Sequence, residues 1–386
     1  MSTERFTSAL SAAGFSTLAY LLAGCSTWLW YPLFGKYLIR DLMLGGEVLG
    51  VIMSLYNLSY AISLLPAGRL SDRFGRRRLM VFGLILMGFS AIIMAYTRDP
   101  IMLSIACLIS GAGYGSFIIS VTAYTIEKGG VKRAGVVYGT ALSGGLLGDV
   151  IGSFVGGWVK QTFGSSKLFL LSSMTAFLAI IPTILLEGDR SSADSSGSFL
   201  SVKSLLMSNE GFRFLSIGLI FHAIGFNMLF PFISVHASDL GLSDYGIGAV
   251  NSAWILSMVF TTVPWGLLTD KIGGKLILTW HFITSFASWM FYAYSWNPMI
   301  IMVSAILMGI VSAMDMPARR KILARIADGR GIGTIIGSLD LITNTTSIPG
   351  PMVGGFLYNY VGVLGIFWIG SLINLVGALF LLKIRG

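Results

Sequence analysis

The sequence predicts an all-α integral membrane protein in which twelve transmembrane helices form two pseudo-symmetric six-helix bundles. Of its 386 residues 55% are hydrophobic, and the mean hydropathy is +0.80, which is more than a soluble core can bury. Apolar runs of about 20 residues, the length that crosses the hydrocarbon core of a bilayer, recur along the chain. Short motifs of the first half return at one fixed offset in the second half.

Six of the apolar runs come before residue 187. The stretch GRLSDRFGRRR (68–78) separates the second run from the third, and TRDP (97–100) separates the third from the fourth. Connections this short make neighbouring spans antiparallel. The predicted spans are 12–36, 45–68, 79–97, 101–125, 135–160 and 167–186.

Six further apolar runs follow residue 211. They are punctuated in the same way, by GLLTDKIGGK (266–275) after the eighth run and by SWNP (295–298) after the ninth. The predicted spans are 212–235, 246–268, 276–296, 299–317, 334–358 and 362–382.

Positive charge is distributed unevenly over the loops between these spans. If the N-terminus is inside, most of the 26 lysines and arginines fall in cytoplasmic segments. Because positive charge marks the cytoplasmic side, we expect both termini in the cytoplasm and the chain in the plasma (inner) membrane. The net charge of +9 is explained by the excess of lysine and arginine in these cytoplasmic segments, so we expect no nucleic-acid partner. The outer segments keep Lys36, Arg40, Arg98, Lys160 and Lys167.

One long polar interruption divides the chain. It covers about 187–211 and contains DRSSADSSGS (189–198), whose composition is that of a flexible linker. The amphipathic segment that follows is expected to lie along the membrane surface. We therefore predict an N-terminal bundle over 1–186, a cytoplasmic linker over 187–211 and a C-terminal bundle over 212–386.

The two halves are internal repeats. GSFVGG (152–157) returns as GPMVGG (350–355), and the loop after the second span returns after the eighth, both 198 positions later. Parallel six-helix repeats around a midplane site are a common plan of transporters. In the loops the matching residues are Gly68, Leu70, Asp72 and Gly75 with Gly266, Leu268, Asp270 and Gly273.

Over its full length the sequence resembles the major facilitator superfamily. GRLSDRFGRRR matches the signature of that family between its second and third helices, and GTALSGGLLGDVIGSFVGG (139–157) resembles a glycine motif in the fifth helix of its drug/proton antiporter branch. Ser153 stands where that branch usually has proline. Cys107 stands where the fourth helix of such antiporters usually carries an arginine.

The resemblance implies that the charged stretch gates the cytoplasmic side. Gly68 and Gly75 are expected to allow a tight turn and close helix approach, and Asp72 to accept N–H bonds at a helix end. Arg73, Arg76 and Arg77 can pair with acids at the ends of other helices, Glu127 being the nearest candidate. By pseudo-symmetry Asp270 would face Arg319 or Arg320. The alternative is that these arginines only set topology and bind anionic headgroups.

Glycines recur every four residues along the fifth span, at Gly148, Gly152 and Gly156, with Gly350 and Gly354 in the second repeat. Small residues let helices pack closely in lipid. One reading is a static contact. The other, by analogy with the family, is a sliding contact of the fifth helix against the eighth.

Asp149 is the strongest candidate for a functional side chain. It sits near the middle of the fifth span, where a carboxylate costs on the order of 2.5–3.5 kcal/mol. Because no predicted span carries a lysine or arginine at that depth, the acid is expected to take up a proton readily, as a proton-coupled carrier requires. The alternative is a permanently protonated acid that bonds a neighbouring helix.

Other polar residues of the spans are weaker candidates for proton coupling or substrate binding. Asp315 has Arg319 four positions on, which favours a local ion pair. Asp340 and Asn344 share one face of the eleventh span. His222 and Asn227 lie in the seventh span, whereas His281 falls in the ninth, which is peripheral in this family.

The resemblance implies a cavity walled by the first, fourth, seventh and tenth helices. These helices offer aromatic residues, although those near residue 30 also fit an interfacial belt. Aromatic walls with one or two acids and no cation suit a hydrophobic or cationic solute. The aromatic candidates are Tyr20, Trp28, Trp30, Tyr31, Tyr114, Phe221 and Phe226.

The leading hypothesis is a secondary transporter that exports such compounds in exchange for protons. The first alternative is a facilitator or proton symporter of a small polar solute such as a sugar, and the second is a membrane receptor or enzyme. No catalytic or metal motif is present in the sequence, so we expect no enzyme activity, cofactor or metal. The expected partners are a small molecule, protons and lipid, with the chain as a monomer.

Overall fold

The computed structural model describes residues 2–187, 202–327 and 332–384. Within these ranges the chain is built of helices and turns and contains no strand. The all-α fold that the sequence predicts is therefore confirmed. Residues 188–201, which include most of the predicted linker, lie outside the described ranges.

The first six helices follow one another with short connections. Helix α1 ends where Tyr31–Leu33 tightens into a 3-10 turn, because Pro32 has no N–H to continue the helical ladder. Helix α2 runs six residues beyond its predicted end, so that most of the charged stretch is helical rather than loop. The helices are α1 Ser2–Trp30, α2 Gly46–Phe74, α3 Arg76–Tyr96, α4 Pro100–Gly130, α5 Arg133–Phe163 and α6 Ser165–Ile184.

The second six repeat this order after a short helix, Val202–Ser208. Helix α7 also ends in a 3-10 turn that contains a proline, Phe230–Phe232. The last two helices are joined by a kink at Gly362. They are α7 Glu210–Leu229, α8 Asp244–Ile272, α9 Gly274–Ala293, α10 Pro298–Ala327, α11 Ile332–Thr346 with 349–361, and α12 363–382.

Nine helical ranges among the described residues are long and apolar enough to cross a membrane. The last of them, Ile335–Leu382, contains both α11 and α12. Helices α1 and α9 stand at the first and ninth predicted spans, which completes the twelve. On α8 the side chains of Phe260, Val263 and Leu267 are 63–71% exposed and share one face. An exposed apolar stripe of this kind suits contact with lipid.

The backbone turns repeat at the offset of the sequence motifs. Gly75 and Gly273 have φ of 100° and 96°, and each is the N-cap of the next helix. Gly164 and Gly362 have φ of 83° and 65°. These left-handed conformations favour glycine, which explains why glycine stands at both positions in each repeat.

The described chain forms two compact units. Unit 1 contains residues 2–34, 55–187 and 243–252, and unit 2 contains 35–54, 202–242, 253–327 and 332–384. Each unit thus holds one short segment from the other half of the sequence. The two exchanged segments end at equivalent positions of the repeats, residues 54 and 252.

Each unit has an apolar core. In unit 1 it includes Met80, Leu84 and Phe117, which are fully buried. In unit 2 it includes Phe212 and Phe282, which are fully buried. These cores fix the helices that carry the polar residues described next.

Candidate functional site

Asp149 lies on α5 against α1, inside unit 1. A side chain at Gly24 of α1 would place its Cβ 2.7 Å from Oδ1 of Asp149, so glycine is required for the acid to fit there. Oδ1 is buried and accepts no hydrogen bond from any described residue. A buried polar atom without a partner is uncommon, and an acid at membrane depth is a functional candidate.

Tyrosines lie on the helices of the same unit as this acid. A Cβ at Gly145, one turn before Asp149, would lie 2.6 Å from the Tyr20 ring, and Tyr56 of α2 and Tyr114 of α4 also belong to unit 1. Tyr60 joins them through a ring contact with Tyr114 at 6.0 Å. The arrangement combines flat apolar surface with one acid, which suits a solute with an apolar body and a positive charge.

Sequence reasoning missed Tyr56 and Tyr60 of this cluster. Both lie on α2, which the family resemblance does not place at the cavity. A signal was available, because the two tyrosines are four residues apart and therefore share one face of an apolar helix.

Trp30 is buried in unit 1, and Tyr31 lies beside it and is half-buried. Trp30 is 2% exposed and contacts Phe34 with ring centroids 5.0 Å apart. The Tyr31 ring lies 5.3 Å from that of Tyr56. Cys107, which stands at the position of the arginine of the antiporter motif, is fully buried.

The glycine ridge of α5 packs on α1, and not on α8 as the sliding contact required. A Cβ at Gly152 would lie 2.7 Å from the carbonyl oxygen of Cys25, and Gly148 and Gly156 meet the carbonyls of Leu21 and Leu29. The ridge therefore follows one face of α1 in steps of four residues. In the second repeat, Gly350 and Gly354 pack in the same way on α7, at Ile224 and Met228.

The contact of α5 with α8 uses the adjacent face. A Cβ at Gly157 would lie 3.1 Å from Cα of Gly248, and Ser252 Oγ donates to the Val150 carbonyl at 2.8 Å. Next to them Lys160 pairs with Asp244 at 2.9 Å. All of these residues belong to unit 1.

The charged stretch forms an ion-pair cluster at the junction of α2 and α3. Arg76 bonds to Glu127 of α4 at 2.7 Å and to Asp72 at 3.0 Å. Arg73 is exposed, lies 5.4 Å from the Phe74 ring and pairs with no acid among the described residues. The pairing with an acid that the sequence allows for Arg73 is therefore not formed.

Arg77 bonds to the backbone at the end of another helix. It donates to the carbonyls of Ile184 and Leu186 at 3.2 and 3.3 Å, the free carbonyls at the end of α6. Lys275, its repeat equivalent, donates to Leu382 and Ile384 at the end of α12.

Two details of the expected gate need correction. Asp270 faces Lys321, at 3.5 Å, and not Arg319 or Arg320, because those two arginines bond to Asp315 and Asp340. Gly68 lies within α2, and a Cβ there would meet only a side-chain carbon of Ile119 at 3.8 Å. No turn and no close helix approach requires glycine at this position.

Unit 2 contains a second polar cluster. Asp315 on α10 pairs with Arg319, and His222 on α7 contacts Asn374 of α12 with Nδ1 2.8 Å from Oδ1. The ring of His281 on α9 lies 5.1 Å from that of His222. His281 is therefore part of the polar cluster, although its helix was expected to be peripheral.

The remaining candidates are not gathered at either cluster. Asp340 pairs with Arg320 at 3.3 Å, and both side chains are about one-third exposed. Asn227 donates to the Ala223 carbonyl of its own helix at 2.9 Å. The Asn344 carbonyl accepts from Ser347 Oγ at 2.8 Å.

Comparison with known proteins identifies the family. The sequence profile of the Major Facilitator Superfamily matches residues 16–209 and 215–385. The chain is 24% identical over 301 residues to the multi-drug resistance efflux pump PmrA homolog of Lactococcus lactis subsp. lactis, covering 76% of this chain and 74% of that protein. It is 23% identical over 369 residues to the multi-drug resistance efflux pump PmrA of Streptococcus pneumoniae, covering 93% and 92%.

The fold has known counterparts as well. The crystal structure of the nucleoside transporter NupG superposes with a TM-score of 0.80 at 14% identity, and the match covers 98% of each chain. The family match and the apolar helices together identify a multi-pass membrane transporter. The chain belongs to the Major Facilitator Superfamily, and the resemblance seen in its motifs is confirmed.

Proposed function

We propose that this transporter works by alternating access and exports hydrophobic or cationic small molecules in exchange for protons. The observation that carries the proposal is the buried, unpartnered Oδ1 of Asp149 beside a cluster of tyrosines. The names of the relatives, multi-drug resistance efflux pumps, support the same substrate class.

In this mechanism a proton and a cationic solute compete for Asp149. Oδ1 of its carboxyl has no hydrogen-bond partner among the described residues. The protonated acid carries no charge, whereas the ionised acid attracts a positive solute to the aromatic walls. Each form excludes the other ligand, which is the requirement for exchange.

The two halves, 1–186 and 212–386, would move about the linker 187–211. The Asp72–Arg76–Glu127 cluster, which lies within the first half, would keep the ends of α2, α3 and α4 together as one part of the gate. Helix α5 would keep its ridge fixed on α1 while its Gly157 face moves. The chain would lie in the plasma (inner) membrane as a monomer, with both termini in the cytoplasm and lipid around it.

Proton flux tests this proposal. In sealed proteoliposomes that hold a pH dye, an imposed gradient of tetraphenylphosphonium should drive proton movement through the wild type. Asp149→Asn should reduce that flux at least tenfold, because the amide cannot exchange a proton. Asp149→Glu keeps a titratable acid and should restore part of the flux. Equal flux through wild type and Asp149→Asn would contradict the proposal.

A second candidate is a facilitator or proton symporter of a small polar solute. Cys107 favours it, since the antiporter motif usually has an arginine at that position. Labelled sugar or nucleoside that equilibrates equally through wild type and Asp149→Asn, without proton movement, would support the facilitator.

A further inference from the structure

The buried oxygen of Asp149 is packed against α1 and does not face open space. A Cβ at Gly24 of α1 would lie 2.7 Å from Asp149 Oδ1 and 2.7 Å from the carbonyl oxygen of Gly145. Oδ1 is buried, whereas the residue as a whole is half-buried. The absence of a side chain at Gly24 therefore leaves a small space on α1, and one oxygen of the carboxyl fills it.

This space suits a protonated carboxyl. Oδ1 has no donor among the described residues, and the Gly145 carbonyl beside it can only accept. An ionised oxygen would be a buried charge without a hydrogen bond, which is costly. A proton on Oδ1 can be donated to the Gly145 carbonyl, as serine and threonine hydroxyls donate to the carbonyl four residues earlier in a helix.

No fixed charge on the neighbouring helices favours the ionised form. Residues 6–30 of α1, 48–68 of α2, 101–126 of α4, 134–159 of α5 and 245–252 of α8 contain no lysine, arginine or histidine, and no acid other than Asp149. The other titratable side chains of these segments are tyrosines and cysteines, which are neutral at about pH 7 in their free forms. They include Tyr20 and Cys25 on α1, Tyr56 and Tyr60 on α2, and Tyr114 on α4.

The packing of α11 on α7 in the second repeat gives an internal comparison. Gly152 of α5 meets the Cys25 carbonyl, and Gly350 of α11 meets the Ile224 carbonyl. Cys25 and Ile224 are therefore equivalent positions, and so are the residues that come directly before them on α1 and α7.

At this preceding position α1 has Gly24, whereas α7 has Ala223. Three residues before the ridge glycine, α5 has Asp149, whereas α11 has the shorter Ser347. The same kind of helix crossing thus accommodates a Cβ where the facing residue is not an acid. Helix packing alone does not require Gly24, but the carboxyl of Asp149 does.

We propose that Gly24 is a positioning residue that gives the Asp149 carboxyl two places, one for each protonation state. The protonated acid lies against α1 with Oδ1 at Gly24, which is the place seen in the structure. The ionised acid turns away from α1 toward water and solute. The proposal rests on the proposed exchange at Asp149 and deepens it, because the proton-bound acid is withdrawn from the solute.

Infrared titration of the purified full-length chain tests this proposal. The C=O stretch of a protonated acid is distinct from the bands of a carboxylate, and the part that is lost in Asp149→Asn reports this residue. In Gly24→Ala the new Cβ occupies the place of Oδ1, so the carboxyl stays on the water side. Half-protonation should then occur at a pH about one unit or more below that of wild type, because water stabilises the ionised form.

Gly152→Ala is the matched control. Its Cβ would lie 2.7 Å from a carbonyl oxygen of α1, just as a Cβ at Gly24 would lie 2.7 Å from one of α5, but it does not meet Asp149. This variant overpacks the same two helices and should leave the half-protonation of Asp149 at the wild-type pH.

Two results would overturn the proposal, namely equal half-protonation in wild type and Gly24→Ala, or an equal shift in Gly152→Ala. If Gly24→Ala does not fold, Asp149→Glu decides. The extra CH₂ fills the space at Gly24 and displaces the acid, so half-protonation should occur at a lower pH than in wild type, although free glutamate is the weaker acid. Half-protonation at a higher pH would contradict the two places.

The titration requires no transport, so it separates this proposal from the proposed function. Equal proton flux through wild type and Asp149→Asn, together with the shift in Gly24→Ala, would remove the exchange but support the two places of the acid. Loss of flux in Asp149→Asn without a shift in Gly24→Ala would keep the exchange and overturn the role of Gly24.

Discussion

Gly148, Gly152 and Gly156 have no side chains, so the backbone of α5 packs directly against α1 along this face. At this scale the sequence predicts the ridge, because a period of four residues marks one helix face. It does not predict which helix the ridge contacts. The adjacent residues Ser153 and Gly157 are also small, and their face is equally suited to close helix contact. Which helix each face meets depends on how α5 is rotated in the bundle.

Gly152→Ala should lower the thermal stability of the detergent-solubilised protein. The new Cβ would lie 2.7 Å from the Cys25 carbonyl oxygen, and overpacking of this kind costs about 1–3 kcal/mol. Gly139→Ala on the same helix is the matched control, because nothing lies within 4 Å of its Cβ. It should keep or raise stability. Equal melting temperatures of the two variants would show that the α1 contact is not tight.

For polar residues too, the sequence shows which side chains are unusual but not always which neighbours they contact. Asp149 is evident from sequence, since an acid in an apolar span is costly wherever the helix points. His281 and Tyr56 are not, because an imidazole or a phenol can face lipid, core or cavity at similar cost. Their roles depend on neighbours that are distant in sequence, such as His222 and Tyr31.

Basic side chains bond the C-terminal ends of two helices at equivalent places in the two repeats. The carbonyls that end α6 and α12 are bonded by Arg77 and Lys275, which are equivalent residues of the two repeats. The sequence predicts the spans, their order and the turn glycines, because hydropathy and φ preferences are local properties. It places the charged stretch in a loop, whereas the structure continues α2 to Phe74, since long cationic side chains let a helix extend past its apolar part.

Arg77→Gln should weaken the end of α6. A hydrogen bond from a charged donor contributes about 1.5–3 kcal/mol. Because Arg77 is partly exposed, we expect a loss of about 1 kcal/mol. Arg73→Gln removes the same charge from an exposed residue without an acid partner and should leave stability unchanged. Urea unfolding followed by tryptophan fluorescence measures both, and an equal loss in the two variants would assign the effect to net charge alone.

Across the whole molecule, the repeat offset of 198 predicts equivalent turns, caps and glycine contacts. It does not predict which equivalent pairs carry charge. Lys160 and Asp244 form an ion pair in unit 1, whereas the equivalent residues Tyr358 and Gly46 contact each other in unit 2 without one. The exchange of residues 35–54 and 243–252 between units was not predicted either, because contacts between spans far apart in sequence leave no local pattern.

Asp244→Asn should destabilise the fold by about 3 kcal/mol. It removes the carboxylate that pairs with the ammonium of Lys160, a side chain that is 2% exposed, and breaking a buried ion pair is strongly destabilising. Asp239→Asn is the matched control, because its pair with Arg40 is about one-third exposed on both sides and is expected to contribute less than about 1 kcal/mol. Thermal unfolding in detergent compares them. Losses of equal size would indicate that burial of Lys160 does not matter.

The exchanged segments have a consequence for biosynthesis. Unit 1 takes in residues 243–252, which the ribosome makes only after all of the first six helices and α7. The contacts of Gly157 with Gly248 and of Lys160 with Asp244 can therefore form only after more than eighty further residues have emerged. During that interval the first six helices are synthesised but lack the contacts that the start of α8 makes with them. Unit 1 therefore completes its packing only after residues 243–252 have been translated.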